Sequence, residues 1–233
     1  TGSTTLAHLA ALPSLIDERD LVFVDHQAHA SIHMAVDLLK SHGATVKLLR
    51  HNAIGHLETK LNKQAGSYRK VWYLADGIYS MHGDTAPMDI LTKLQDRFPN
   101  FHLYIDDAHG FGWRGKHGCG FALEATPQHA RTVVVASLSK SFGGGGGVII
   151  CPDDDVRSRI LHLGGPMIFA GPLQPPVLGA NIASAKIHLA NDFSERQQLL
   201  KDKIRFCNKL LNQYRLPLVT CDDNPIRFLA MGK

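Results

Sequence analysis

Six short apolar or β-branched runs, at residues 21–25, 46–49, 71–75, 102–106, 132–136 and 147–151, punctuate the first two thirds of the chain. Each is bounded by polar or glycine-containing segments, as strands are. Between several of them lie stretches with the apolar spacing of helices, at 32–39, 56–61 and 87–98, and another follows the last run at 156–163. Strands alternating with helices leave few folds open. The sheet must be mostly parallel, joined by crossover helices and covered on both faces. The predicted class is α/β with three layers.

The pattern changes at about Pro172, where two long helical stretches follow, 173–190 and 194–214, the second opened by a capping box of Ser194 and Gln197. This places a boundary near Asn191. Residues 1–190 form a major domain, and 191–233 supply a linking helix and the beginning of a small C-terminal α+β domain. The one strand-like stretch there, 226–230, is too little to close a second core. Together with an opening at Thr1 rather than Met, this is expected of a piece of a longer chain, incomplete at both ends.

Charge and cysteine content narrow the function classes. The net charge of +4 is spread over 25 basic and 21 acidic residues without a basic run or interleaved aromatics, which argues against a nucleic-acid partner. Cys119, Cys151, Cys207 and Cys221 form no C-x-x-C pair, so reduced thiols in a cytoplasmic protein are expected, not a zinc knuckle or redox pair. No apolar stretch reaches the roughly 18 residues of a membrane span.

In an open parallel sheet, ligands bind beyond the carboxyl ends of the strands. Polar clusters follow four of the predicted strands at that edge: His26-Gln27-Ala28-His29, Asp76 to Asp84, Asp106-Asp107-Ala108-His109-Gly110, and Ser137-Leu138-Ser139-Lys140. Acids, imidazoles, hydroxyls and one lysine thus converge, as an active site requires. The glycine run at 143–147 follows Lys140 instead of preceding it, which does not match the P-loop pattern G-x-x-x-x-G-K-S/T. It leads into a strand, which does not match a dinucleotide fingerprint either. Glycines there would let the backbone pass close to a bulky ligand.

The order and spacing of the motifs resemble a known family. Asp106-Asp107-Ala108-His109-Gly110 with Gly112, Gly115 and Gly118, then Ser137-Leu138-Ser139-Lys140-Ser141-Phe142-Gly143, are similar to the α-oxoamine synthases, fold-type-I enzymes of pyridoxal 5′-phosphate (PLP). Further matches are His29-Ala30-Ser31, His51-Asn52 with Leu57-Glu58, Ser80-Met81-His82-Gly83-Asp84 with Ala86-Pro87, and Pro225-Ile226.

The resemblance implies the major domain of the fold-type-I PLP transferases. It implies Lys140 as the lysine that holds PLP as a Schiff base, Asp106 facing the pyridine nitrogen, His109 near the ring oxygen and His29 stacked on the ring. Ser80 and Ser137 match polar contacts to the cofactor, and Gly2 and Ser3 a phosphate-binding turn before a helix. The implied reaction condenses an amino acid with an acyl-CoA thioester in a homodimer. The chain departs from the family at Ala28 and Ser3, and around Phe169-Ala170-Gly171-Pro172, where relatives carry hydroxyls. The family's arginine for the substrate carboxylate has no match. Three other readings stay open: an aminotransferase on the same scaffold, a non-catalytic homologue, and a metal hydrolase built on His26, His29 and His82.

Overall fold

The structure, a computed structural model, describes residues 1–126, 130–219 and 223–232, so Cys221 lies outside the described residues. The chain opens with helix α1 (Thr4–Leu15), then β1 (Leu21–Asp25), α2 (Ala30–Ser41), β2 (Thr45–Leu49), α3 (Ile54–Gln64), β3 (Val71–Asp76), α4 (Met88–Arg97) and β4 (Phe101–Asp106). It continues through α5 (Phe121–Ala125), β5 (Thr132–Ser137), β6 (Gly147–Ile150), α6 (Asp154–Leu163), α7 (Gly165–Phe169), α8 (Pro175–Leu189) and α9 (Phe193–Gln213). All six predicted strands form within a residue or two of their expected bounds. They make one sheet of order β2-β1-β3-β4-β5-β6, parallel except for β6, which runs antiparallel to β5.

Side-chain alternation along each strand builds the two faces. On β1, Val22 and Val24 point to a core closed by α1, α2 and α6, while Leu21 and Phe23 point to another closed by Leu57 and Leu61 of α3 and Leu91 and Leu94 of α4. Each such fully buried aliphatic side chain contributes about 1.5–3 kcal/mol of transfer free energy. Because both faces are covered, β1, β3 and β5 are buried along their whole length.

Helix α1 had no counterpart in the periodic pattern. Its sequence, TTLAHLAALPSL, is apolar nearly all round, because the helix lies against the sheet and under α2 and α6 with seven of its residues buried. A helix buried on most sides carries no amphipathic stripe to read.

Three expectations need correction. The capping box on α9 does not form: its N-cap is Asp192 without a side-chain bond, and Gln197 instead donates its amide to the carbonyls of Trp113 and Gly115. Residues 226–230 form no strand, only an isolated bridge between Leu218 and Leu229. From Gly144 to Gly147 the glycine run is close to protein, not aimed at open space for a ligand, and only Gly143 of the run has no neighbour there. A Cβ on Gly144 would fall 2.0 Å from Asn181 Oδ1, and one on Gly147 would fall 2.8 Å from Ser3 O and Thr4 N. The run lets the loop after β5 pack on α8 and on the start of α1, and Asn181 bonds both the N–H and the carbonyl of Gly145.

Candidate active site

The sheet's carboxyl edge opens into a cleft of about 210 Å³, lined by Ser3, Thr4, Thr5, His29, Ser31, Asp76, Asp106, Ala108, His109, Ser139 and Lys140. Strand order reverses direction between β1 and β3, where open α/β sheets bind ligands.

Local structure places each group. His29 is the N-cap of α2, its Nδ1 accepting the Ser31 N–H at 3.3 Å and meeting Ser31 Oγ at 2.7 Å. Its own N–H donates to Asp76 Oδ1 at 3.0 Å, which ties the head of α2 to the end of β3. Asp76 and Asp106 are register partners at the ends of neighbouring strands. Lys140 sits in a tight turn after β5, closed by Gly143 N–H on the Lys140 carbonyl and by Gly144 N–H on Leu138. Its ammonium lies 2.6 Å from His109 Nε2, so the imidazole accepts there and carries its proton on Nδ1.

Electrostatics separates the groups by charge. Burial disfavours ionised Asp106, yet the hydrogen bonds it accepts from His8 and from the Ala108 N–H hold its carboxyl below the ordinary range. Burial pushes Asp76 well above its ordinary value, and the Asp106 charge adds to the effect. One carboxylate and one carboxylic acid therefore share the edge. Burial lowers the Lys140 ammonium, opposed by the charge of Asp106. Burial and the Lys140 charge push His109 down to about 4, so its ring is neutral at neutral pH.

Of the predicted residues, the cleft brings together Lys140, His29, Asp106, His109 and Ser3. Ser3 is also the N-cap of α1, its Oγ accepting the Leu6 N–H at 3.1 Å. Gly2, Ser80 and Ser137 are not in its lining. Ser137 is buried and its Oγ accepts the Ser139 N–H, and Ser80 lies on the turn after β3. The imidazoles of the metal reading lie apart. His26 shares a separate pocket with His33, and His82 packs on Phe228 at 5.0 Å. Sequence reading placed Ser31, Asp76 and Ser139 in its motifs and clusters without giving them a role, and it missed Thr4, Thr5 and, behind the lining, His8. The available signal was a lone imidazole in an apolar, alanine-rich helix, one turn after Thr4 and so on the same helix face.

The donor set fits an anionic aromatic aldehyde such as PLP. It offers a primary amine for the aldehyde and a buried carboxylate for a ring N–H. Hydroxyls of Ser3, Thr4 and Thr5 surround the start of α1, whose first-turn N–H groups favour an anion.

Comparison with known proteins agrees. Residues 1–229 match the family model for aminotransferase class I and II. The chain belongs to that family. Within it, the chain is 34% identical over 210 residues to an 8-amino-7-oxononanoate synthase of Maricaulis maris, covering 90% of this chain and 52% of that one. A solved 8-amino-7-oxononanoate synthase from Francisella tularensis superposes with a TM-score of 0.78 at 28% identity, over 98% of this chain and 64% of that one. A serine palmitoyltransferase from S. paucimobilis with a bound PLP–myriocin aldimine shares the fold, with a TM-score of 0.87 at 23% identity over 100% of this chain and 58% of that one. The α-oxoamine synthase resemblance read from the motifs is thus borne out. The chain spans about half the length of the curated relatives it matches.

Proposed function

We propose that this chain carries the cofactor-binding core of a PLP-dependent acyltransferase that condenses an amino acid with an acyl-CoA thioester to an α-oxoamine, in a cytoplasmic homodimer. The observation that carries the reading is the Lys140 amine in one cleft with an ionised, buried Asp106 and two imidazoles.

Lys140, Asp106, His29 and His109 would hold the cofactor, with Ser3, Thr4 and Thr5 around its phosphate. When bound, PLP supplies an electron sink for a carbanion at the amino acid's α-carbon. The chain's own residues prepare the site for that chemistry. Lys140 gives up a proton more readily than a solvated lysine, because burial disfavours its ammonium, and the neutral amine at Nζ is the nucleophilic and basic form. His109 Nε2, in contact with Nζ, keeps an acceptor beside that amine. Asp106 keeps a negative charge at the cleft floor and so favours a protonated partner there. Ser31 fixes the His29 ring through Nδ1 and leaves Nε2 for the cleft.

Purified protein with added PLP should develop a visible absorbance band that Lys140→Ala abolishes. With an amino acid and an acyl-CoA, the protein should release CoA at a rate that Lys140→Ala lowers by at least roughly 10³-fold. Transamination without CoA release would move the reading to an aminotransferase, and absence of the band would remove it altogether.

A further inference from the structure

Behind the cleft floor stands a group that the proposed chemistry does not use. His8, on α1, is fully buried and does not line the cleft, whereas Asp106 does. Its Nε2 lies 2.9 Å from Asp106 Oδ2, and its Nδ1 lies 2.8 Å from the hydroxyl of Tyr104, a buried residue on the same strand as Asp106. We propose that His8 is the positioning residue for Asp106: it donates from Nε2 to Oδ2, with the Tyr104 hydroxyl fixing the proton on that nitrogen, so that the carboxylate stays ionised and aimed at the cleft.

The proton placement follows from the partners. An ionised carboxylate only accepts, so Nε2 carries the hydrogen, and in the neutral ring Nδ1 is then the acceptor. Tyr104 is the donor that position needs. Its burial holds the phenol well above its ordinary value, which keeps the hydroxyl protonated. The Ala108 N–H occupies Oδ1 at 3.0 Å, so both oxygens of Asp106 are oriented, one by backbone and one by His8.

Without His8 the balance reverses. The other titratable groups around Asp106 are Asp76 on β3, its neighbour Asp107, Lys140, His29 and His109. Asp76, its register partner, is the one that stays protonated, so a carboxyl at this edge that lacks an imidazole becomes the acid. Lys140 and His29 interact with Asp106 through space, as does His109, but no hydrogen bond from them reaches its carboxylate. Partners that orient a functional group in this way commonly change affinity by about 10- to 100-fold when removed.

The inference rests on the PLP reading for its purpose, but not for its test. In the apo-protein, the Asp106 carboxyl carbon, assigned by carbon-13 NMR against Asp106→Asn, should titrate below the ordinary carboxyl range. In His8→Leu its midpoint should rise enough to mean at least about a tenfold weaker hold on the ionised form. His8→Gln, which retains an N–H donor, should restore part of the shift. If His8→Leu does not fold, Tyr104→Phe leaves the imidazole in place and should move the midpoint the same way by less.

Cofactor binding gives the second reading. His8→Leu should bind PLP about tenfold more weakly, yet bind equally well a PLP analogue with CH in place of the ring nitrogen. A merely structural role would weaken both. An unmoved Asp106 midpoint in a folded variant, or equal losses for the two ligands, overturns the inference. Wild-type protein that takes up no PLP while the midpoint still moves overturns the cofactor reading and leaves the hold of His8 on Asp106 standing.

Discussion

Two buried clusters at the carboxyl edge are made of the same three side-chain types and are built for different ends. Asp25, at the end of β1, receives the N–H groups of Gln27 and Asn52, His51 Nδ1 at 3.0 Å and the Tyr73 hydroxyl at 3.0 Å. Asp106, at the end of β4, receives the Ala108 N–H and His8 Nε2. Both carboxyls sit below the ordinary range despite burial. Four donors on Asp25 leave little acceptor capacity, and the cluster closes on itself through His51 to Asp84. Two donors on Asp106 leave capacity for a third, on the side where the cleft lies.

Two further acids complete the series. Asp76 takes the His29 N–H and Asp107 the Ala122 N–H, with Asp107 Oδ1 buried and unpartnered. Neither has an imidazole, and burial drives Asp76 well above its ordinary value and Asp107 up to about 8. In a dry sheet edge the donors around each carboxyl decide its charge, and the capacity they leave unused decides whether it can serve a ligand.

The contrast is broken most directly by removing each acid. Asp25→Ala strands several donors, and its unfolding free energy should fall by about 3–5 kcal/mol, with any loss of CoA release following the loss of fold. Asp106→Ala should cost less stability, about 1–3 kcal/mol, but lower CoA release by roughly 10²- to 10³-fold. Denaturant melts beside initial rates would show the two effects uncoupled. Equal stability losses would mean that the two clusters do the same work.

Asp107 tests the link between donors and charge through pH. An unfolded Asp gives up its proton near its ordinary value of about 4, whereas in the native state Asp107 keeps it up to about 8. Between these values the native state holds more protons than the unfolded one, so this group's contribution is largest below the lower value and shrinks as pH rises. Asp107→Asn, neutral throughout, should flatten the decline between about pH 5 and pH 8, an effect on the order of a few kcal/mol. An unchanged slope in urea titrations would show that Asp107 is not the acid responsible. The smallest effect belongs to the redundant donor. Tyr73→Phe removes one of four bonds to Asp25 and should lower stability by about 1 kcal/mol, without changing PLP uptake.

Much of the fold was legible because both faces of the sheet are buried, so each central strand reads as a continuous apolar run bounded by turns. The amphipathic helices α2, α3 and α4 were legible for the complementary reason, with one face in water. Helix α1 was not, since burial on most sides erases its stripe, and α5 and α7 are too short to show a period. At the site, Lys140, Asp106, His109 and His29 stood out because each lies at or just after a strand end on the same edge, and the family resemblance singled them out within those clusters. Thr4, Thr5 and His8 lie on α1, the helix whose period could not be read. The glycine run shows the same limit: composition revealed a close approach, but not that Asn181 and the head of α1 were what approached.

By itself the sequence determined a mostly parallel three-layer sheet, and it determined which edge holds the acids, imidazoles and lysine, because strand alternation and the residues after each strand are local properties. Tertiary structure alone decided which acids carry charge. Asp106 and Asp107 are neighbours in sequence, yet one meets an imidazole from a helix 98 residues away and the other meets only backbone amides, with one oxygen left unpartnered. Ionisation in a dry interior depends on donors brought from distant segments, and only folding puts them there.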